Sequence, residues 1–424
     1  MLLSRTAAAP IIPSLRLALL RWPVRARRTR VLLGLAVALA VLVACAGYLI
    51  IAVLIAHRGE RFVNRMFLFW GWSRFVHSVA PPALIYDPPA LYHFEMTLPG
   101  AHPKDLPFAY PPPLLLLIWP LGWLRPVPAL LAWYGVGLGA FIAATWQRRA
   151  GVRIALLALI APSTLVALYY AQNSFLVAAL LIGGWRLLPR RPVLAGVLFG
   201  LMAFKPQFGL LLPIVLISAR QWTAIVAAAV TVAAMTGASV AAFGLACWTR
   251  LPVALAGLSA VVAAHPRLDH LAPTVTAGMR LLDAGTGLTQ ITQILAALTA
   301  AALMWRAARG GVTPLVGAAL MAAVFLVTPY AFLYDLPLLS YAALAVVRDR
   351  HDAFSSAEVL VLLAAIALPV AMLFNPLGLP WGTITAAAML GLILRRIRTA
   401  PRSAPRHPAG SPPLPAPAAA LASS

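Results

Sequence analysis

The chain has 424 residues, of which 62% are hydrophobic and only 10% are charged, and its formal net charge is +23. Soluble domains are roughly 45–50% apolar and about 25% charged, so this composition excludes a water-soluble globular fold. The apolar residues form long blocks without strict alternation, which predicts an all-α polytopic membrane protein. Most arginines lie between these blocks, as at the cytoplasmic ends of membrane helices, and this placement argues against a nucleic-acid partner.

The predicted elements begin with an arginine-rich segment, residues 1–30, which we expect to be cytoplasmic. The next apolar run is too long for the core of a signal peptide and predicts a first transmembrane helix. About 12 spans follow from the same criterion, within a transmembrane domain of residues 31–398. The predicted spans are 31–56, 129–146, 153–170, 174–188, 193–204, 208–218, 223–243, 289–305, 312–329, 336–347, 357–373 and 382–394. The tail 399–424 is rich in proline, alanine and serine, and we expect it to be disordered and cytoplasmic.

Two long segments between spans, 57–113 and 244–288, are expected to be extracytoplasmic loops, the first of them large. If residues 107–147 cross the membrane once, the arginine clusters fall on the same side as the basic N-terminus. Both termini are then cytoplasmic. We therefore interpret the short apolar segment 114–124 as re-entrant or interfacial.

The first loop carries an aromatic cluster between Phe67 and Phe75, close to Arg65 and Arg74. This pattern predicts an amphipathic helix on the outer surface, which would contribute to a lipid or sugar pocket. The loop ends with Tyr110 and three prolines, a stiff non-helical entry to the membrane. By itself this tyrosine indicates only an anchor at the membrane interface.

Two polar positions occur at the ends of later spans. Gln172 and Asn173 form an outer turn whose amides would either bind a hydroxyl-rich ligand or close a tight helix–helix connection. Lys205 precedes Pro206, which disfavours a helical conformation for the residue before it. Irregular backbone at membrane depth is tolerated only inside protein or around a cavity. Lys205 is therefore a candidate for binding phosphate, the alternative being a lysine whose ammonium extends to the interface.

Acidic residues are scarce, with ten in the whole chain, so their positions are informative. Asp335 lies at the outer end of a predicted span, where an ionisable group indicates a functional site. It would otherwise cap the helix that we expect to start at Leu336. The histidines and cysteines have no metal-binding spacing, and we expect neither a metal nor a cofactor.

Several short motifs occur in a characteristic order along the chain. They are Phe69-Trp70, Tyr86-Asp87-Pro88, Tyr110-Pro111-Pro112, Ala171-Gln172-Asn173, Phe204-Lys205-Pro206-Gln207, Thr328-Pro329-Tyr330 and Tyr334-Asp335-Leu336. This set resembles the bacterial glycosyltransferase family 87 of the GT-C class, over roughly residues 57–347. That family includes α-mannosyltransferases that depend on polyprenol-phosphate-mannose. The resemblance implies a GT-C-like bundle in the bacterial cytoplasmic (inner) membrane, surrounded by membrane lipids.

The resemblance also implies a reaction, in which a hexose, with mannose as the family expectation, moves from a polyprenyl-phosphate donor to a lipid or glycan acceptor outside the cytoplasm. Lys205 would bind the donor phosphate, assisted by Arg65 or Arg74. Family members carry an aspartate shortly before the tryptophan of the first loop, but residues 61–70 contain no acid. Glu60 or Asp87 would then be the catalytic base. The expected substrate pocket comprises Tyr110, Gln172, Asn173, Gln207, Tyr330, Tyr334 and Asp335.

The absent aspartate leaves a second possibility open, a catalytically silent family member that acts as a binding or assembly partner. A third is a lipid or sugar transporter. Transporters more often show repeated halves with broken helices at the membrane midplane, and no such repeat is evident in the sequence. Formation of a glycosylated product would separate the enzyme from the other two.

Overall fold

A computed structural model describes residues 42, 45–57, 59, 67–98, 107–146, 157–348, 354–375 and 377–399. Throughout these ranges the chain is helical, with short turns between helices and no β-sheet. The predicted all-α fold is therefore confirmed. The basic segment 1–30, the tail beyond Thr399, and the candidate residues Glu60 and Arg65 lie outside the described residues.

The described helices are numbered α1 to α17 in chain order. They are α1 Cys45–His57, α2 Leu68–Ser78, α3 Pro88–Met96, α4 Pro113–Ile118, α5 Pro126–Thr145, α6 Pro162–Tyr169, α7 Ser174–Leu187, α8 Pro192–Gly200, α9 Leu212–Ser218, α10 Trp222–Phe243, α11 Ala246–Ala264, α12 Val275–Leu281, α13 Thr286–Ala308, α14 Pro314–Val327, α15 Pro337–Arg348, α16 Ser356–Leu373 and α17 Trp381–Thr399. Short 3₁₀ helices lie at Pro82–Tyr86, Trp119–Trp123, Leu201–Phe204, Pro206–Phe208, Pro266–Leu271 and Leu333–Asp335.

Five of the described helices, α5, α10, α11, α13 and α16, are long and apolar enough to cross a membrane. Four of them match predicted spans. The fifth, α11, lies in the segment that we expected to be the second outer loop. Arg250 and Pro252 interrupt its apolar run in the sequence, but the helix continues through the proline. Further apolar helices in the described ranges, some of them counted together with an adjoining 3₁₀ turn, have only 10–17 residues, so the prediction of about 12 spans is not confirmed.

Helix α8 packs closely along α10, and two glycines one turn apart make this approach possible. A Cβ atom on Gly196 would lie 2.3 Å from the Ala224 carbonyl oxygen, and one on Gly200 would lie 2.5 Å from the Thr231 Cβ. The close packing fixes the end of α8, and the chain passes from there into the segment that contains Lys205.

Helix α14 is the most enclosed helix near the site, with every side chain from Leu315 to Leu326 buried. It packs against α13, α15 and α17, while α7 packs against α5 and α8. The chain leaves α14 at Thr328 and reaches the 3₁₀ helix that ends at Asp335. Because α14 is buried, the segment that follows it places Asp335 in the protein interior.

Helix α2, predicted from the aromatic cluster of the first loop, is present and docks on the turn at residues 119–123. The Trp70 indole donates to the Leu124 carbonyl over 3.0 Å, and the Ser73 hydroxyl donates to the Trp119 carbonyl over 3.0 Å. Its aromatic side chains are buried inside the protein, whereas we had expected them on an outer surface. Burial against protein removes this apolar area from water more completely than a surface position would.

Candidate active site

Lys205 lies at a break between two 3₁₀ helices. The proline that follows it excludes the helical conformation, and Lys205 adopts φ −145° and ψ 64°. The predicted backbone break is therefore confirmed. The side chain turns inward and is only 3% exposed, so the alternative of a lysine extending to the membrane interface is wrong.

Asp335 is the counter-ion of Lys205. Its Oδ1 lies 2.6 Å from the Lys205 Nζ and also accepts a hydrogen bond from the Ser174 hydroxyl over 2.8 Å. Its Oδ2 accepts from the Phe332 backbone N–H over 3.2 Å, which caps the local turn. The observed cap is of the turn at Phe332, whereas we had expected a cap of the helix that follows Asp335, and a functional role for Asp335 remains a prediction. A buried ion pair with its remaining lone pairs occupied is held in a defined geometry.

The turn before α7 places the Asn173 amide beside Lys205 and Asp335, and these three residues form the Lys205 cluster. Ala171 adopts a positive φ of 50°, and this turn brings Asn173 to the start of the helix. The Asn173 side chain makes no helix cap; its Oδ1 instead accepts from the Lys205 Nζ over 3.2 Å. The Gln172 Oε1 is buried and has no hydrogen-bond partner in the described part of the chain, whereas the buried Asn173 Nδ2 faces the Tyr110 hydroxyl without full hydrogen-bond geometry. Unpaired buried polar atoms are unusual, and the Gln172 oxygen therefore singles out this corner as part of the candidate site.

Aromatic rings surround the ammonium group. The Lys205 Nζ lies 4.9 Å from the ring centroid of Phe208 and 5.6 Å from that of Tyr334. Tyr110 approaches from the end of the first loop, beside Asn173, and burial together with the Asp335 charge raises the pKa of its phenol. The rings exclude water and thereby strengthen the charged interactions among these groups.

Other predicted residues stand apart from this cluster. Gln207 is half-buried and makes no hydrogen bond within the described ranges, and the Tyr330 hydroxyl bonds to Ser259 of α11. Arg74 is exposed and donates to the Gly122 carbonyl over 3.1 Å, which helps hold α2 in place. Asp87 is partly exposed at the start of α3, and no contact between described residues joins its side chain to Lys205. The roles of these four residues remain predictions.

One acidic residue was not singled out by the sequence. Glu95, on α3, is only 7% exposed, and its carboxyl lies against the Trp72 indole. Loss of hydration raises the pKa of Glu95 to about 7, an effect that the indole N–H partly offsets. In sequence this residue is one of four acids in the first loop, and only the packing of α3 on α2 reveals its burial.

The arrangement of a buried cation, its carboxylate partner and an unpaired amide oxygen is that of an enclosed polar site within a helical membrane protein. Residues 108–329 match the family model described as glycosyltransferase family 87. The chain belongs to this family and is a membrane glycosyltransferase. Neither a curated protein nor a solved structure matches it. The matched segment contains the Asn173 and Lys205 positions, and Asp335 lies six residues beyond its end.

Proposed function

We propose that this protein transfers a hexose, with mannose as the first candidate, from a polyprenyl-phosphate donor to a hydroxyl group of a lipid or glycan acceptor. The transfer would occur on the extracytoplasmic side of a bacterial cytoplasmic membrane. The observation that supports this most directly is the buried Lys205, which bonds to the Asn173 amide beside the unpaired amide oxygen of Gln172. A phosphate with an attached sugar offers the oxygen and hydroxyl groups that such a corner lacks.

Lys205 would bind the phosphate that leaves the sugar. A lysine ammonium has three N–H donors, and within the described ranges two are directed to Asp335 and Asn173. The third is left for a phosphate oxygen, so donor binding does not require the ion pair to break. As the bond between the anomeric carbon and the phosphate oxygen breaks, negative charge grows on the phosphate. A fixed cation in a dry site stabilises that growing charge.

Asp335 would act as a positioning residue. Its carboxylate accepts from Lys205, Ser174 and the Phe332 N–H, so its lone pairs are largely committed. Such a group holds the ammonium in one place. Positioning of this kind contributes to catalysis because the reacting groups do not have to be ordered during the reaction.

The principal test is a transfer assay with purified protein in proteoliposomes and radiolabelled polyprenyl-phosphate mannose, glucose or arabinose. We expect labelled product from one donor, and Lys205→Ala should lower transfer by about 100-fold or more. Lys205→Arg should retain donor binding, because it keeps the charge. Lys104→Ala, a change at the only other lysine of the chain, is the matched control and should have little effect.

The same assay separates the alternatives. A catalytically silent member would bind a donor but form no product with any of the three sugars. A transporter would move labelled lipid or sugar across the vesicle membrane without forming a glycosidic bond. Either result, in vesicles where the protein is folded, would refute the proposed transfer reaction.

A further inference from the structure

Glu95 is a buried carboxyl without a described counter-ion. The other three buried carboxyls of the described ranges each lie within 3.3 Å of an arginine or lysine nitrogen. Glu95 instead faces the Trp72 indole, and the indole N–H lacks a hydrogen bond of full geometry. A structural ion pair within the described part of the chain therefore does not explain why an acid is buried here. Buried acids without a structural partner are candidates for proton transfer.

A continuous set of contacts joins Glu95 to the Lys205 cluster. The Trp72 ring packs against the Tyr110 ring with centroids 5.8 Å apart. Tyr110 in turn lies beside Asn173, which bonds to Lys205. Glu95 is thus connected to Lys205 through the side chains of Trp72, Tyr110 and Asn173. Helix α3 itself belongs to the first loop, on the side where we expect the acceptor to enter.

Among the described residues, no titratable side chain on the elements packed against α3 bonds to Glu95. The titratable groups on α2 are Arg74 and His77, and the turn at residues 82–86 contributes Tyr86. Each bonds to a backbone carbonyl instead of Glu95: Arg74 to Gly122, His77 to Ser73, and Tyr86 to Tyr110. Protonation of the Glu95 carboxyl is therefore set mainly by its burial.

We infer that Glu95 accepts the proton of the acceptor hydroxyl during glycosyl transfer, an inference that rests on the proposed function. The acceptor oxygen forms its bond to the anomeric carbon as its proton moves to the Glu95 carboxylate. The bond from that carbon to the phosphate oxygen breaks, and its electron pair leaves with the polyprenyl phosphate. The proton then passes from Glu95 to water, and the carboxylate is restored.

The physical argument favours Glu95 over Asp87. A general base works best when its pKa lies near the working pH, and burial brings the Glu95 carboxyl close to neutrality. Asp87 begins the same helix but is partly exposed to solvent. It therefore lacks the enclosed surroundings that make a carboxylate a stronger base.

The test compares pH–rate profiles of the full-length protein in proteoliposomes. In the wild type, kcat should rise with pH through about 7, as the Glu95 carboxyl ionises. Glu95→Gln should lower kcat by about 100-fold or more and remove this rise, with the donor KM changed less than about twofold. Glu95→Ala should be partly rescued by added formate, which a purely structural role would not allow. Asp283→Asn, a change at an exposed carboxyl, is the matched control.

Three outcomes would overturn the inference while leaving the proposed function intact. The first is wild-type transfer whose kcat does not vary around pH 7. The second is a folded Glu95→Gln protein that keeps more than about a tenth of wild-type kcat. The third is loss of the pH-dependent rise in Asp87→Asn alone, which would assign the role to Asp87. Absence of transfer by the wild type with every donor would instead refute the proposed function itself, and this inference with it.

Discussion

The ion pair between Lys205 and Asp335 should dominate the local stability of the site. Both residues are only 3% exposed, and the Lys205 Nζ lies 2.6 Å from the Asp335 Oδ1. Removal of one partner leaves a buried charge without compensation, which destabilises proteins by about 3–5 kcal/mol. We expect a loss of this size for Lys205→Met and again for Asp335→Asn.

The double variant distinguishes this mechanism from general damage to the core. Without either charge the burial penalty disappears, so Lys205→Met combined with Asp335→Asn should lose no more stability than one single variant. Reversible unfolding by denaturant in mixed micelles, followed by tryptophan fluorescence, gives the four free energies of the cycle. Lys104→Met controls for the change of residue type.

Two results would refute this reasoning. Strictly additive losses would mean that the two side chains stabilise the fold independently and do not interact as an ion pair. Near-wild-type stability of Lys205→Met would mean that Asp335 finds other compensation in the protein. In the second case its bonds to Ser174 and the Phe332 N–H would suffice to hold the carboxylate.

Three further predictions concern other parts of the fold. Glu358→Gln should lower unfolding free energy by about 3 kcal/mol, because the carboxylate makes two contacts of 3.2 Å with Arg396 that join α16 to α17. Gly196→Ala should destabilise the protein by about 1–3 kcal/mol through its clash with α10, whereas Gly257→Ala, with open space around the added carbon, should not. Glu95→Gln should remove a pH dependence of the unfolding free energy. Burial raises the pKa of the Glu95 carboxyl to about 7 in the folded protein, from 4.5 in the unfolded chain. The contribution of Glu95 to the unfolding free energy is therefore greatest below pH 4.5, and about 3 kcal/mol of it is lost as the pH rises to 7.

Thermal and denaturant unfolding in one detergent test all three. The prediction for the ion pair between Glu358 and Arg396 is contradicted if Glu358→Gln has the same melting temperature as the wild type. The packing prediction fails if alanine at positions 196 and 257 has equal effects. The third is refuted if wild type and Glu95→Gln lose stability in parallel between pH 4.5 and 7.

Local patterns in the sequence were enough to predict several features of the site. Pro206 determines the break at Lys205, because a proline restricts the residue before it wherever it occurs. The aromatic residues around Phe69 predicted the helix at α2. The prediction was wrong at α11, where Arg250 and Pro252 interrupt the apolar run in the sequence but the helix continues through the proline.

The sequence by itself determined that this is a helical membrane protein, since its composition leaves backbone groups no partners in lipid except those within a helix. It also indicated that Lys205 and Asp335 were unusual, because isolated charges at such depth are rare. Only the tertiary structure decided that these two residues meet, across 130 positions of the chain, and that Glu95 is buried against Trp72. Contacts between distant segments depend on how whole helices pack, and the packing of α14 and α3 is not encoded in any local pattern.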